Sequence, residues 1–269
     1  MLFAAGAFAN DGLDVCVCGF DIDVSEYGAL RRENMLSEAV IGADYIILPL
    51  PYSAGAERVN APFCSGGISV SDVEILCKNS VVIGGKMDRE FGCRTIDYYA
   101  REDFAVLNAL PTAEGAIKLA IELTKSTMRD LDVAVLGFGR IGKLLAKTLV
   151  SMGAHVTVYA RSAQARAWAK VFFCTAHTFD ELEEHIAKHN CIFNTVPTRI
   201  LTEDVLSHAC RGALFAELAS APYGADEKTV KNAGLRYMLA SALPGRITPK
   251  SAGLIIYETL KEIIMEEEK

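Results

Sequence analysis

The chain has 269 residues, 51% of them apolar and 23% charged, enough to bury one or two domain cores and too apolar for intrinsic disorder. Its net charge of −7 argues against broad nucleic-acid binding, which needs a basic face, although a few local cations can still hold a small anion. No apolar run reaches the ~20 residues that span a bilayer, so no membrane segment is expected, and the apolar start Met1-Leu2-Phe3-Ala4-Ala5 lacks the basic flank of a secretory signal.

Short β-rich apolar runs alternate with segments of helical period, the pattern of an α/β fold. In the first half, helices are predicted at Leu2–Asp11, Glu33–Ile41, Ser71–Cys77 and Arg94–Arg101. Strands are predicted at Leu13–Gly19, Asp44–Pro49, Ser80–Gly84 and Asp103–Leu107. Residues Pro49–Gly67 are rich in Pro, Gly, Ser and Ala and read as loop. Cys16 and Cys18 share one strand face, and the other six of the eight cysteines are scattered. There is no C-x-x-C pair and no Cys/His cluster at zinc spacing, so free thiols in a reducing cytoplasm and no metal site are expected.

A long helix is expected from Pro111, with Thr112 and Glu114 in its first turn and an apolar stripe of Ala113, Ile117, Ala120, Ile121 and Thr124. Then Asp132-Val133-Ala134-Val135-Leu136 reads as a buried parallel strand running into Gly137-Phe138-Gly139-Arg140-Ile141-Gly142, and a helix follows. A G-x-G-x-x-G between strand and helix is a dinucleotide fingerprint. The first Gly permits the turn, the second lets amides approach a pyrophosphate, and the third lets helix and strand pack closely. Arg140 and Ile141 lie in the same turn.

The next strand, His155–Tyr159, ends in Ala160-Arg161-Ser162. An NAD site usually places a carboxylate there for the ribose diol, whereas Arg161 and Ser162 suit a 2′-phosphate, so NADP is expected over NAD. Cys191–Pro197 reads as a strand and turn that set Thr195, Val196 and Pro197 beside the dinucleotide. Ala219 and Ser220 hold the equivalent place after the strand Ala213–Glu217, and Ala240–Gly245, with Pro244, closes the series. A final helix near Thr248–Glu266 carries Ala252, Ile255, Ile256, Leu260 and Ile263 and should pack back on the first domain. Glu266, Glu267 and Glu268 read as a solvated tail.

The expected plan is thus a smaller flavodoxin-like α/β domain over residues 1–110, completed by 248–269, a connecting helix over 111–130, and a Rossmann domain over 131–247. None of the five histidines reads as a general base, and His155, His177, His185, His189 and His208 are all expected at the surface. The D-2-hydroxyacid dehydrogenases share this architecture but place a histidine after the last cofactor-domain strand. Here Leu243–Gly253 has none and offers Arg246 and Lys250 to hold carboxylates or developing negative charge. Lys86, Asn108, Thr112 and Glu114 are further polar candidates for the substrate side.

On these residues the chain resembles the family of the dipicolinate synthase A subunit. The resemblance rests on Leu110-Pro111-Thr112-Ala113-Glu114-Gly115, Val135–Arg140, Ala160-Arg161-Ser162, Asn194-Thr195-Val196-Pro197, and Leu243-Pro244-Gly245 through Pro249-Lys250-Ser251-Ala252-Gly253. It implies oxidation of a dihydrodipicolinate-type ring to pyridine-2,6-dicarboxylate, with hydride transfer to NADP+. It also implies a flavoprotein-like partner, the B subunit of dipicolinate synthase, and the cytoplasm of a sporulating mother cell. The dicarboxylate would fall to Arg246, Lys250 and Lys86, and a homodimer suits the architecture. Family members begin with a further strand and glycine turn ahead of the helix at which this chain starts, and Gly84-Gly85-Lys86-Met87 replaces the family's S-G-I-S-like segment. The alternatives are a related dehydrogenase of the alanine or 2-hydroxyacid type, or a non-catalytic dinucleotide-binding subunit.

Overall fold

Both ends of the chain fold into one unit, Met1–Asn108 with Pro249–Lys269, and the middle, Ala109–Thr248, forms a second. The computed structural model describes residues 1–55 and 57–269. The first unit runs α1 (Leu2–Asn10), β1 (Cys16–Cys18), β2 (Arg31–Glu33), α2 (Leu36–Ala39), β3 (Tyr45–Ile47), α3 (Val70–Leu76), β4 (Val81–Gly84) and β5 (Thr95–Asp97). β1 pairs with β2, and a second parallel sheet has the order β3-β4-β5. β4 forms because its apolar run can be buried on both faces, as the fully buried Val82 and Ile83 show. Ser69 starts α3 by accepting the Ser71 amide at 3.1 Å.

Three expectations are corrected here. Arg94–Arg101 is not a helix: β5 is followed by a single 3-10 turn, Tyr98–Ala100. Asp103–Leu107 is not a strand but the first turns of α4 (Glu102–Thr124), so Pro111 sits inside that helix and not at its start. Acidic Glu102 and Asp103 supply the first turn, favourable at a helix N-terminus, and Pro111 costs the helix one backbone donor. Finally, Glu33–Ile41 contains only the one-turn α2, preceded by the unforeseen β2. The 49–67 segment is pinned by bridges pairing Ser53 with Val59 and Arg58 with Ser69, while Ala56 lies outside the described residues.

α4 carries the chain into the second unit. By length and composition alone it could cross a bilayer, one 18-residue stretch having mean hydropathy 1.3, but 44% of that stretch is buried within the protein. Ala113, Ala116, Ile117 and Ala120 of that helix are buried in the second unit's core, whereas Ile121, expected in the stripe, is 39% exposed.

The second unit continues with β6 (Asp132–Leu136), α5 (Arg140–Ser151), β7 (His155–Tyr159), α6 (Ala163–Val171), β8 (Thr175–His177), α7 (Leu182–His185), β9 (Cys191–Asn194), α8 (Glu203–Ser207), β10 (Leu214–Glu217), α9 (Glu227–Asn232), β11 (Arg236–Leu239) and α10 (Leu243–Ile247). All strands are parallel in the order β11-β10-β9-β6-β7-β8, so the winding direction reverses between β6 and β9. Both faces of the sheet are covered. Val133, Val135 and Phe193 face one core, and Ala134, Leu136, Tyr159 and Phe215 face the other. That double burial is why the inner strands β6, β9 and β10 read as near-continuous apolar runs. Ligands of open parallel sheets bind beyond the strand carboxyl ends at such a reversal.

α11 (Pro249–Glu267) returns to the first unit and packs on α1, as its apolar face predicts. Phe8 and Tyr257 meet edge to face at 4.8 Å, and Lys261 pairs with Asp11 at 2.7 Å. A Cβ on Gly253 would stand 2.6 Å from Phe3 Cβ, so glycine sets this close approach. Glu266 and Glu267 are not a free tail: they pair with Arg101 at 2.8 Å and Arg94 at 2.9 Å.

Candidate functional site

The glycine turn closes the carboxyl end of β6. Gly137 has φ 95° and donates its amide to the Tyr159 carbonyl at 2.9 Å. A Cβ there would lie 2.5 Å from Thr195 Oγ1 and 2.8 Å from Val196 Cγ2. A Cβ on Gly142 would run into the Gly137 carbonyl. Gly139, the N-cap of α5, differs: its Cβ would find no atom within 4 Å. The protein itself therefore requires the first and third glycines. The middle one leaves open space before the first turn of α5, where amides lack intrahelical partners and favour an anion. This open space fits a pyrophosphate passing over the turn. Arg140 and Ile141 open α5 beside it.

β7 ends at the neighbouring turn without a carboxylate. Ala160 is buried and donates to the His177 carbonyl at 3.0 Å, while Arg161 and Ser162 are exposed. Ser162 caps α6 by accepting the Ala165 amide at 3.1 Å, which leaves its hydroxyl hydrogen free to donate. The Arg161 guanidinium has no protein partner among the described residues. Sequence reading missed Arg166, whose Nη1 donates to the carbonyls of Ala160 at 2.8 Å and Arg161 at 2.7 Å and so clamps this turn. Its place one helical turn beyond Ser162 was the available signal.

Across the reversal, Thr195 Oγ1 donates to the Leu136 carbonyl at 2.8 Å, holding the Thr195-Val196-Pro197 turn against the glycine turn. Beneath it lies a polar network that sequence reading also missed. Asn194 Nδ2 donates to Glu217 Oε1 at 2.7 Å and to the Val196 carbonyl at 3.0 Å. Glu217 also accepts the amides of Ala219 at 3.0 Å and Gly224 at 2.8 Å. Burial raises the Glu217 carboxyl above its ordinary value, against the pull of these donors. Ala219 and Ser220 are thus held at the carboxyl end of β10. An acid closing the otherwise apolar run 213–217 was the clue.

Pro244 lies in the first turn of α10, entered through Ala242 at φ 52°. Arg246 is exposed and donates from Nη1 to the Ser241 carbonyl at 3.1 Å. These two belong to the second unit, whereas Lys86 and Lys250 belong to the first. Lys86 follows β4 with φ 57° and donates its amide to Asp97 Oδ1 at 3.0 Å. Its ammonium stands 5.0 Å from the centre of the Tyr99 ring. Lys250 is exposed at the start of α11. The glycine turn and the turns at 160–162, 195–197 and 219–220 share the carboxyl edge of one sheet. The three cations are divided between the units.

The histidines are not uniformly superficial. His155 and His208 are exposed as expected, but His189 is only 3% exposed. Its Nε2 lies 2.8 Å from the Tyr159 hydroxyl, its Nδ1 is buried without a partner, and burial lowers its pKa to about 4. His177 and His185 are half-buried, with ring centres 4.3 Å apart.

Residues 112–222 match the family described as D-isomer specific 2-hydroxyacid dehydrogenase, NAD binding domain. The chain is 32% identical to the A subunit of dipicolinate synthase of Bacillus subtilis (strain 168), over 94% of this chain and 88% of that protein. It is similar to the solved A chain of dipicolinate synthase from Bacillus subtilis, with TM-score 0.85 and 30% identity over 98% of this chain and 92% of that one. The solved A subunit of dipicolinate synthase from Bacillus halodurans also aligns, with TM-score 0.85 and 26% identity over 97% of this chain and 93% of that one.

Proposed function

The chain belongs to the family of the dipicolinate synthase A subunit, and on that premise we propose that it is an NADP-dependent oxidoreductase that acts on a dihydrodipicolinate-type ring. The product is pyridine-2,6-dicarboxylate, made in the cytoplasm of a sporulating mother cell together with a flavoprotein-like B subunit. The chain itself is read as a homodimer.

The observation that carries the cofactor half is the open space at Gly139, between two glycines that the protein needs for its own packing. Gly137, Gly139, Gly142 and the first amides of α5, with Arg140 and Ile141, hold the pyrophosphate. Arg161 and Ser162 hold the 2′-phosphate, and Thr195, Val196, Pro197, Ala219, Ser220 and Pro244 border the rest of the dinucleotide. Bound NADP+ supplies the hydride acceptor.

The protein's own part is to bind and orient a dianion. Arg246, Lys250 and Lys86 are the cations assigned to the two carboxylates. Loss of a hydride and a proton makes an aromatic ring, so the reaction runs downhill and needs no strong dedicated base. The lack of a histidine in residues 243–253 accords with this, and the proton leaves to water.

Calorimetric titration of the purified chain with NADPH and with NADH tests the cofactor half. Selective NADPH binding supports it, and NADH preference overturns the role of Arg161. Turnover of dihydrodipicolinate with and without the B subunit then tests the reaction, and failure in both settings leaves only a dinucleotide-binding protein.

A further inference from the structure

The Rossmann sheet's outer edge gathers metal-binding side chains next to the turn at 160–162. His177 is the last residue of β8, Glu181 ends the 3-10 turn Phe179–Glu181, and His185 is the last residue of α7. One ligand atom from each, two imidazole nitrogens and a carboxylate oxygen, lie within 4.8 Å of one another. We propose that His177, Glu181 and His185 form a binding site for one divalent transition-metal ion of the Zn2+ class.

The chain has already fixed the carboxylate for this role. Glu181 Oε2 accepts the Thr178 amide at 2.7 Å and the Thr178 hydroxyl at 2.8 Å in a capping box, which turns Oε1 toward His177 Nδ1 at 2.8 Å. Such an outer hydrogen bond orients a ligating carboxylate. His185 adds an independent sign, because its Nδ1 is buried with no hydrogen-bond partner. Buried polar atoms are normally paired, and this orphan belongs to a ring whose centre stands 4.3 Å from that of His177, so the ring has a donor to spare at the cluster.

The donor set selects the ion. Two imidazoles and one carboxylate suit Zn2+ and Co2+, while Mg2+ and Ca2+ take oxygen ligands. At Zn–N distances of ~2.0–2.1 Å, tetrahedral ligands stand about 3.4 Å apart, so an ion would open the 2.8 Å pair of His177 and Glu181 slightly and draw the other ligand atom in from within 4.8 Å. The ion would join β8 to α7. Because the His177 carbonyl accepts from Ala160 at 3.0 Å, it would also anchor the turn that carries Arg161 and Ser162.

The test uses the full chain, stripped with a chelator and titrated with Zn2+ by calorimetry and with Co2+ by visible absorption. One equivalent is expected, with cobalt bands of low coordination number and no thiolate charge-transfer band. His177→Ala and His185→Ala should each weaken binding by more than about tenfold, at least the cost of losing an outer partner. Glu181→Gln should weaken it similarly while leaving the fold intact, since glutamine also completes a capping box. His155→Ala is the unchanged control. The absence of saturable binding, a thiolate band, or binding that survives the histidine substitutions overturns the proposal.

Discussion

Asn194 donates to Glu217 at 2.7 Å between register-paired ends of β9 and β10, and neither residue is exposed. The pair fixes the turns at 195–197 and 219–220 from below. Asn194 holds Val196 through both its amide and its carbonyl, and Glu217 collects the amides of Ala219 and Gly224. Glu217→Leu would strand these donors, each at about 1–3 kcal/mol, so a total loss of roughly 3 kcal/mol or more is expected. Glu217→Gln should cost less. Urea unfolding measures both, and an unchanged midpoint for Glu217→Leu would show that the network holds nothing.

The glycine turn makes a sharper contrast. Gly139→Ala meets no protein atom and should leave the melting temperature within a few degrees, yet abolish tight dinucleotide binding. Gly142→Ala drives a methyl into the Gly137 carbonyl and should destabilise the fold by about 1–3 kcal/mol. Calorimetry of NADPH binding beside thermal melts separates the two effects. Full NADPH affinity in Gly139→Ala would contradict a pyrophosphate over that residue.

Arg161→Ala should weaken NADPH binding roughly ten- to hundredfold, the worth of a hydrogen bond to a charged group at about 1.5–3 kcal/mol. NADH binding should hardly change. Equal losses for both cofactors would mean that Arg161 supports the turn and does not read the phosphate.

His189 predicts a pH dependence. The unfolded chain protonates it near 6.5, whereas the folded chain resists until about pH 4, because the imidazolium would be buried. The folded pKa is depressed, so stability is fully present above pH 6.5 and is lost as pH falls toward 4. The limiting loss is about 3 kcal/mol. His189→Gln should flatten the fall in urea midpoint between about pH 7.5 and pH 5. Parallel curves for the two proteins would exclude His189 as its source.

Lys250→Ala should raise KM for the dicarboxylate by roughly ten- to hundredfold with little change in cofactor affinity. Unchanged turnover at low substrate would remove Lys250 from the site.

The Rossmann half was legible because its inner strands β6, β9 and β10 are buried on both faces and its glycine turn carries its own chemical signature. The glycine turn at 137–142 names itself by spacing, and β6 by apolar continuity. The first half was harder for a physical reason. β2 is Arg31-Arg32-Glu33, with no apolar residue to show a period, and β5 is three half-buried residues long. Phe104 and Val106 alternate like a strand, but Phe104 packs edge to face on Tyr98 at 5.3 Å and the segment is helical. In the site, Asn194 and Glu217 are ordinary strand residues until strand order places them side by side. Arg166 likewise acquires its role only when the first turn of α6 brings it back under Ala160 and Arg161.

α11 reaches its place against α1 only after the whole second unit has been made. Phe8 and Asp11 leave the ribosome before the Ala109–Thr248 unit, and their partners Tyr257 and Lys261 follow it. During synthesis the Ala109–Thr248 unit holds all its own strands and can close first. The apolar face of α1, with Ala4 and Phe8, lacks its cover from Ile256 and Leu260 until α11 has emerged. The newborn protein thus shows chaperones an unfinished first unit beside a finished second one.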